Sequence, residues 1–292
     1  MKHTLENKYL QVSIQHKGAE ISSIVSKKTG QEYIWQADRT IWGSSAPVLF
    51  PIIGALKENQ YTYKGETYTL PKHGFIRNNM SLEVIEKTDT LVCLSYQSSE
   101  ETLRSYPFEF EFRITYQLED NSLKVYHTVR NKGNDTMLFS LGGHPAFNCP
   151  LNYGEHYSDY FIEFDQKETD VTHELGLTGL TNGGTHPLIF NSKQLNLTPH
   201  IFDNDALIFK HLKSRAVTLK NVKSKQEIRV EFDDFNYLGI WAKSNAPFVC
   251  IEPWLGITDA ENGTGKFEDK EGLLSLEATK TFKAMYSIEI SE

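Results

Sequence analysis

Apolar and polar residues alternate over much of this chain, and that period of two restricts it to half-buried antiparallel strands. In Glu109-Phe110-Glu111-Phe112-Arg113-Ile114-Thr115-Tyr116 the aromatic and aliphatic side chains fall on one face and the polar ones on the other. The same alternation runs through residues 123–129, 227–232 and 285–290. Residues 61–68 predict a tight hairpin with Lys64-Gly65 at its turn. Asp120-Asn121 and Asn131-Lys132-Gly133-Asn134 mark further turns. Helix signals are sparse. The best is Ser98-Ser99-Glu100-Glu101-Thr102-Leu103-Arg104-Ser105, with Ser98 and Glu101 spaced as a capping box and Pro107 closing it. There is no βαβ rhythm, internal repeat or low-complexity linker, and residues 148–159 and 175–186 read as loops over one face of a scaffold. The expectation is an all-β chain, residues 1–292 forming one large antiparallel β-sandwich domain with very few short helices.

The net charge of −8, spread without long runs of one sign, argues against nucleic acid or an anionic membrane as the partner. The most apolar stretch, residues 46–56, is short and broken by Pro51 and Gly54, so it cannot span a bilayer. The first seven residues lack the apolar core of a secretory signal. Cys93, Cys149 and Cys250 are few, odd in number and widely spaced, which fits buried or incidental reduced thiols and neither a disulfide framework nor a zinc site. Together these features lead to the expectation of a cytoplasmic protein.

Three fragments could carry chemistry. In Gly142-Gly143-His144-Pro145-Ala146-Phe147, a histidine sits between glycines and a proline after a strand-like run. It reads equally as a side chain aimed from a stiff support and as a strand end with an incidental histidine. Leu70-Pro71-Lys72-His73-Gly74-Phe75-Ile76-Arg77 places a second histidine on an irregular turn, where a plain surface loop is the simpler account. In Phe248-Val249-Cys250-Ile251-Glu252-Pro253-Trp254, a carboxylate follows what reads as a buried strand. Burying it is costly unless it is paired or used, although a glutamate at a strand end can also point to solvent. Trp254 beside it offers an apolar face suited to the C–H groups of a sugar ring. Asp205, just before an apolar run, reads first as a turn or cap residue.

Metal-binding spacings such as H-E-x-x-H, a nucleophile elbow, a phosphate-cradling glycine loop and a dinucleotide fingerprint are all absent. What remains is an acid/base set of one carboxylate and two imidazoles, with no metal and no cofactor expected. A carboxylate can take a proton at neutral pH, and an imidazole beside it is expected to have its pKa pushed upward and to give one.

Taken in order, His73-Gly74-Phe75, Gly143-His144-Pro145-Ala146-Phe147, Asp205 and Glu252-Pro253-Trp254 resemble the aldose 1-epimerase (galactose mutarotase) superfamily, and within it the LacX-like branch. Residues 17–24, 29–35, 47–54 and 98–107 also fit, so the resemblance covers nearly the whole chain. It implies a galactose mutarotase-like supersandwich with a sugar cleft and an isomerase that exchanges the α and β anomers of a free hexose, without metal or cofactor. By the same resemblance, Glu252 is the general base on the anomeric hydroxyl, His144 the general acid at the ring oxygen, and His73 hydrogen-bonds the sugar and polarises the ring. Asp205 holds ring hydroxyls, and Arg77 and Trp254 complete the substrate contacts. The partner it implies is a small sugar, free or phosphorylated, and the assembly a monomer or dimer. One departure stands out: an arginine common in this branch is replaced by Ala55, with Arg77 or Lys57 as candidate substitutes. Two alternatives therefore stay open, a non-catalytic sugar-binding protein on the same scaffold and a mutarotase of a phosphorylated hexose.

Overall fold

The computed structural model describes residues 1–292, and the alternating segments are its strands. Nine antiparallel strands form the largest sheet. Their order is Thr181–Asn196, Tyr160–Leu175, Ala216–Asn221, Glu227–Glu231, Thr281–Ser291, Ser122–Asn131, Phe110–Glu119, Leu91–Gln97 and Glu83–Lys87. Pairings such as Phe112↔Val129, Tyr116↔Val125 and Val125↔Tyr286 align buried positions across neighbouring strands, so one face of the central strands is largely apolar.

A six-stranded sheet runs in the order Leu207–Phe209, Tyr237–Trp241, Phe248–Leu255, Leu141–Gly143 and Val48–Leu49, with Ala146–Asn148 also pairing on Phe248–Leu255. The register Leu207↔Ile240↔Ile251 and Phe209↔Leu238 sets one face of this sheet. That face turns toward the larger sheet, where Phe209 meets Phe164 at 5.8 Å between ring centroids. The side chains in between belong to a single core of 69 buried residues. Burial on this scale is the main stabilising term of such a sandwich, at roughly 25 cal/mol per Å² of apolar surface. By the period of two, Ile208, Gly239 and Glu252, which are in register, fall on the opposite face.

The hairpin forms as expected: Gln60–Tyr63 pairs with Glu66–Thr69, and Lys64 and Gly65 both take positive φ at the turn. Three readings shift. The short helix is Glu100–Leu103, and its capping box is made by Ser99 and Thr102, one residue on from the predicted Ser98 and Glu101. Of the predicted loop 175–186, only residues 176–180 lie outside strands. Thr181 to His186 pair with Tyr160–Leu175 through a bulged register that accommodates Gly183 at φ 85°. Their Thr, Asn and Gly residues have weak strand preference, and the partner strand overrides it. Finally, Glu252 is no strand end, because the fully buried strand continues through Leu255.

Candidate active site

The outer face of the six-stranded sheet carries a cleft of about 460 Å³, within the size range of small-molecule sites. Its floor follows from alternation: Glu252 and Trp254 point into it from one strand and Trp241 from the next, with Ile208 beyond. Space for the Trp254 indole exists only because Gly239 faces it, where a Cβ would lie 2.6 Å from the ring.

His144 comes from the turn between Leu141–Gly143 and Ala146–Asn148, both of which pair with the Glu252 strand. The two clamped strands leave the His144 ring little freedom. Its Nε2 lies 3.1 Å from Glu252 Oε2, yet the approach is too far out of line to satisfy the carboxylate. Glu252 Oε2, His144 Nδ1 and Trp254 Nε1 are all buried without a hydrogen-bond partner. Buried polar atoms in native proteins are nearly always paired, and these three lie together beside the cleft.

His73 enters from the opposite wall, at φ 66° on a turn that packs against residues 50–54. Its own N–H donates to the Gly54 carbonyl at 2.7 Å, and the Gly54 N–H donates to His73 Nδ1 at 3.1 Å. Nδ1 is therefore the acceptor, and in the neutral ring the hydrogen is on Nε2. The His73 and His144 rings meet edge to face at 5.7 Å.

The electrostatics of the site are dominated by burial. Glu252 is 1% exposed, and desolvation pushes its carboxyl well above the usual range. Lys72 opposes this shift, Asp205 adds to it, and Arg77 also opposes it. His144 is lowered to about 3, first by burial and then by Arg77 and Lys72, so the expected upward push from the neighbouring carboxylate is not the dominant effect. His73 is likewise lowered well below its ordinary value, by burial and then by His144. Both imidazoles are neutral at pH 7.

All six predicted site residues, His73, Arg77, His144, Asp205, Glu252 and Trp254, line this one cleft. Asp205 is also the turn residue it first resembled, at φ 75° with its carboxylate accepting from the Ala206 N–H. Ala55 is 7% exposed and does not reach the cleft; its backbone is latched to Thr258. Lys57 does not reach it either, its N–H being held by Asp259. The cations that do line the cleft are Arg77, Lys72 and Lys243. Arg77 and Lys72 take part in no ion pair of the protein.

Sequence reasoning missed Trp42 and Trp241. Trp42 stacks on the His144 ring at 5.2 Å, and Trp241 meets that ring edge-on at 5.8 Å. With Trp254, three of the four tryptophans border the site. That scarcity was a usable signal, but nothing local marks residue 42, which is carried there by an irregular segment anchored by the Trp35 indole N–H to the Trp42 carbonyl.

The sequence model of the aldose 1-epimerase family matches residues 1–266. Protein LacX (chromosomal) of Lactococcus lactis subsp. lactis is 37% identical over 296 residues, covering 98% of each chain. A galactose mutarotase related enzyme from Lactobacillus acidophilus superposes with a TM-score of 0.94 at 38% identity, covering 100% of this chain and 98% of that one. A galactose mutarotase-like protein from Lactobacillus casei does so with 0.93 at 31%, covering both chains fully. The architecture is thus a galactose mutarotase-like β-sandwich.

Proposed function

This chain belongs to the aldose 1-epimerase family, and from that premise we propose that it interconverts the α and β anomers of a hexose by acid/base ring opening. The single observation that carries this reading is the buried His144–Glu252 pair, 3.1 Å apart, with unpartnered buried polar atoms beside a sugar-sized cleft. Glu252 takes the proton of the anomeric hydroxyl while His144 gives one to the ring oxygen. The C1–O5 bond breaks, a carbonyl forms at C1, rotation about C1–C2 exposes its other face, and the proton transfers reverse on closure.

The two groups hold one movable proton between them. Burial alone favours the neutral form of both groups, raising the Glu252 carboxyl and lowering the His144 imidazole. Sugar hydroxyls donating to the carboxylate stabilise its ionised form, and Lys72 and Arg77 act on Glu252 in the same direction. The proton then moves to His144, which gives the acid and base their roles. His73 Nε2–H donates to the sugar, Asp205 accepts from ring hydroxyls, and Trp254 and Trp42 supply apolar faces for the C–H groups.

The test is the rate at which freshly dissolved α-glucose or α-galactose approaches anomeric equilibrium, followed by polarimetry or exchange NMR. The protein accelerates it and Glu252→Gln removes the acceleration. Wild-type protein matching buffer across free and phosphorylated aldoses, while sugars still quench tryptophan fluorescence saturably, would replace the enzyme with a sugar-binding protein.

A second reading, mutarotation of a phosphorylated hexose, is favoured by the unpaired Arg77 and Lys72 at the cleft. It predicts that Lys72→Met and Arg77→Met raise KM for a hexose phosphate far more than KM for the free hexose.

A further inference from the structure

Beneath the acid/base pair the chain holds a third donor that the proposed reaction does not use. Cys250 and Glu252 are two residues apart on a buried strand, so Sγ and the carboxylate project to the same face. The register Ala146↔Cys250 and Gly142↔Trp254 brings the connector bearing His144 across both. One nitrogen of His144, Sγ of Cys250 and a carboxylate oxygen of Glu252 all lie within 4.8 Å of one another. Glu252 Oε2 is buried and lacks a partner.

We propose that His144, Cys250 and Glu252 form an inhibitory site for a borderline-soft divalent ion such as Zn²⁺ or Co²⁺. A nitrogen, a thiolate and a carboxylate are the donor types such ions take, and three protein ligands leave a fourth position for water from the cleft. Tetrahedral bonds of ~2.0–2.3 Å place donors about 3.5 Å apart, so from within 4.8 Å of one another the three close by no more than about 1.3 Å around the ion. The two cleft residues give the ion its path to solvent. Binding releases two protons to water, that of the Cys250 thiol and the one held between Glu252 and His144, so affinity rises with pH. The ion and the sugar are mutually exclusive, because metal ligation occupies the carboxylate and imidazole that the ring-opening step needs. This consequence for turnover rests on the epimerase reading; the site itself does not.

Titrating the purified protein with Co²⁺ tests the site without any turnover. Wild-type protein is expected to develop a thiolate-to-cobalt charge-transfer band with a stoichiometry of one. Cys250→Ser and Cys250→Ala, each checked for folding by circular dichroism, are expected to lack the band and to bind on the order of 100-fold more weakly. Where anomer exchange is measurable, Zn²⁺ inhibits wild type competitively with sugar and reversibly with chelator, and both cysteine variants keep their activity but lose that sensitivity. A wild-type protein with no cobalt band, or a band that persists in both cysteine variants, overturns the site. A band in a protein that exchanges no anomers leaves the site standing and removes only the epimerase reading.

Discussion

Lys72 is solvent-exposed at the rim of the cleft, yet it is the strongest charge holding down the pKa of buried Glu252. Lys72→Met removes that opposition, so the Glu252 carboxyl rises further. Because the proposed base must be ionised, the acidic limb of the pH profile of kcat/KM is expected to move to higher pH in this variant. An unmoved limb would show that Lys72 does not act on the base. His73 contributes differently. With Nδ1 accepting from Gly54 N–H, the ring is held as a neutral Nε2–H donor. His73→Ala is expected to lower kcat/KM by about 10²-fold, the scale of one lost donor in a dry site. Its effect should change little between pH 7 and 9, because the ring is already neutral there. Of these residue-scale features, His73, His144 and Glu252 were legible in the sequence because each sits in an unusual local string. Lys72 lies in the same string as His73 and drew attention only as one of several basic residues; what distinguishes it is its distance through space from a residue 180 positions later.

At the scale of elements, the strands Tyr237–Trp241 and Phe248–Leu255 set the site by register. Gly239 opposite Glu252 leaves room for the Trp254 ring, and Gly142 allows the next strand to approach Pro253 and Trp254. Gly239→Ala puts a methyl 2.6 Å from the indole. It is expected to cost about 1–3 kcal/mol in urea denaturation, as overpacked sites do. Displacement of the Trp254 platform should also raise KM for the sugar. A variant with wild-type stability and KM would show that Trp254 is not positioned by this contact. The alternation that announces these strands is clear in the sequence, but which strand lies beside which is not. The predicted loop that proved to be mostly strand, Thr181 to His186, makes the same point, since its pairing partner decided its conformation.

For the molecule as a whole, buried histidines tie stability to pH. His127 is 1% exposed on the inner face of the large sheet, among Phe112, Phe235 and Tyr286, with neither ring nitrogen satisfied. Burial lowers it to about 3, and His144 likewise to about 3. Between the unfolded value of 6.5 and these folded values the unfolded chain binds more protons. Their stability contribution is therefore complete above pH 6.5 and lost as pH falls toward 3. The loss approaches about 1.4 kcal/mol per pH unit for each group. Glu252, shifted upward, works in the opposite sense: its contribution is present at low pH and lost as pH rises through its folded value. His127→Leu is expected to reduce the proton uptake on unfolding between pH 6 and 4 by nearly one. Urea denaturation across that range would show a shallower decline than in wild type; an identical slope would mean that His127 is protonated in the folded protein.

The all-β, antiparallel class is legible in the sequence, because side-chain alternation is a local property; the particular sandwich came from the family resemblance. The sequence by itself also determined, through the resemblance carried by its ordered fragments, six residues that the tertiary structure gathers into one cleft. Only that structure decided what surrounds them. The stacking of Trp42 on His144, the withdrawal of Ala55 and Lys57 from the cleft, the free charges of Arg77 and Lys72, and the approach of Cys250 to the acid/base pair are juxtapositions of distant segments. So is the protonation of the pair. A carboxylate and an imidazole read from a string carry their solution pKa values, whereas in the folded chain desolvation moves both toward neutrality. Burial is a property of the packed sandwich and has no signature within a single segment.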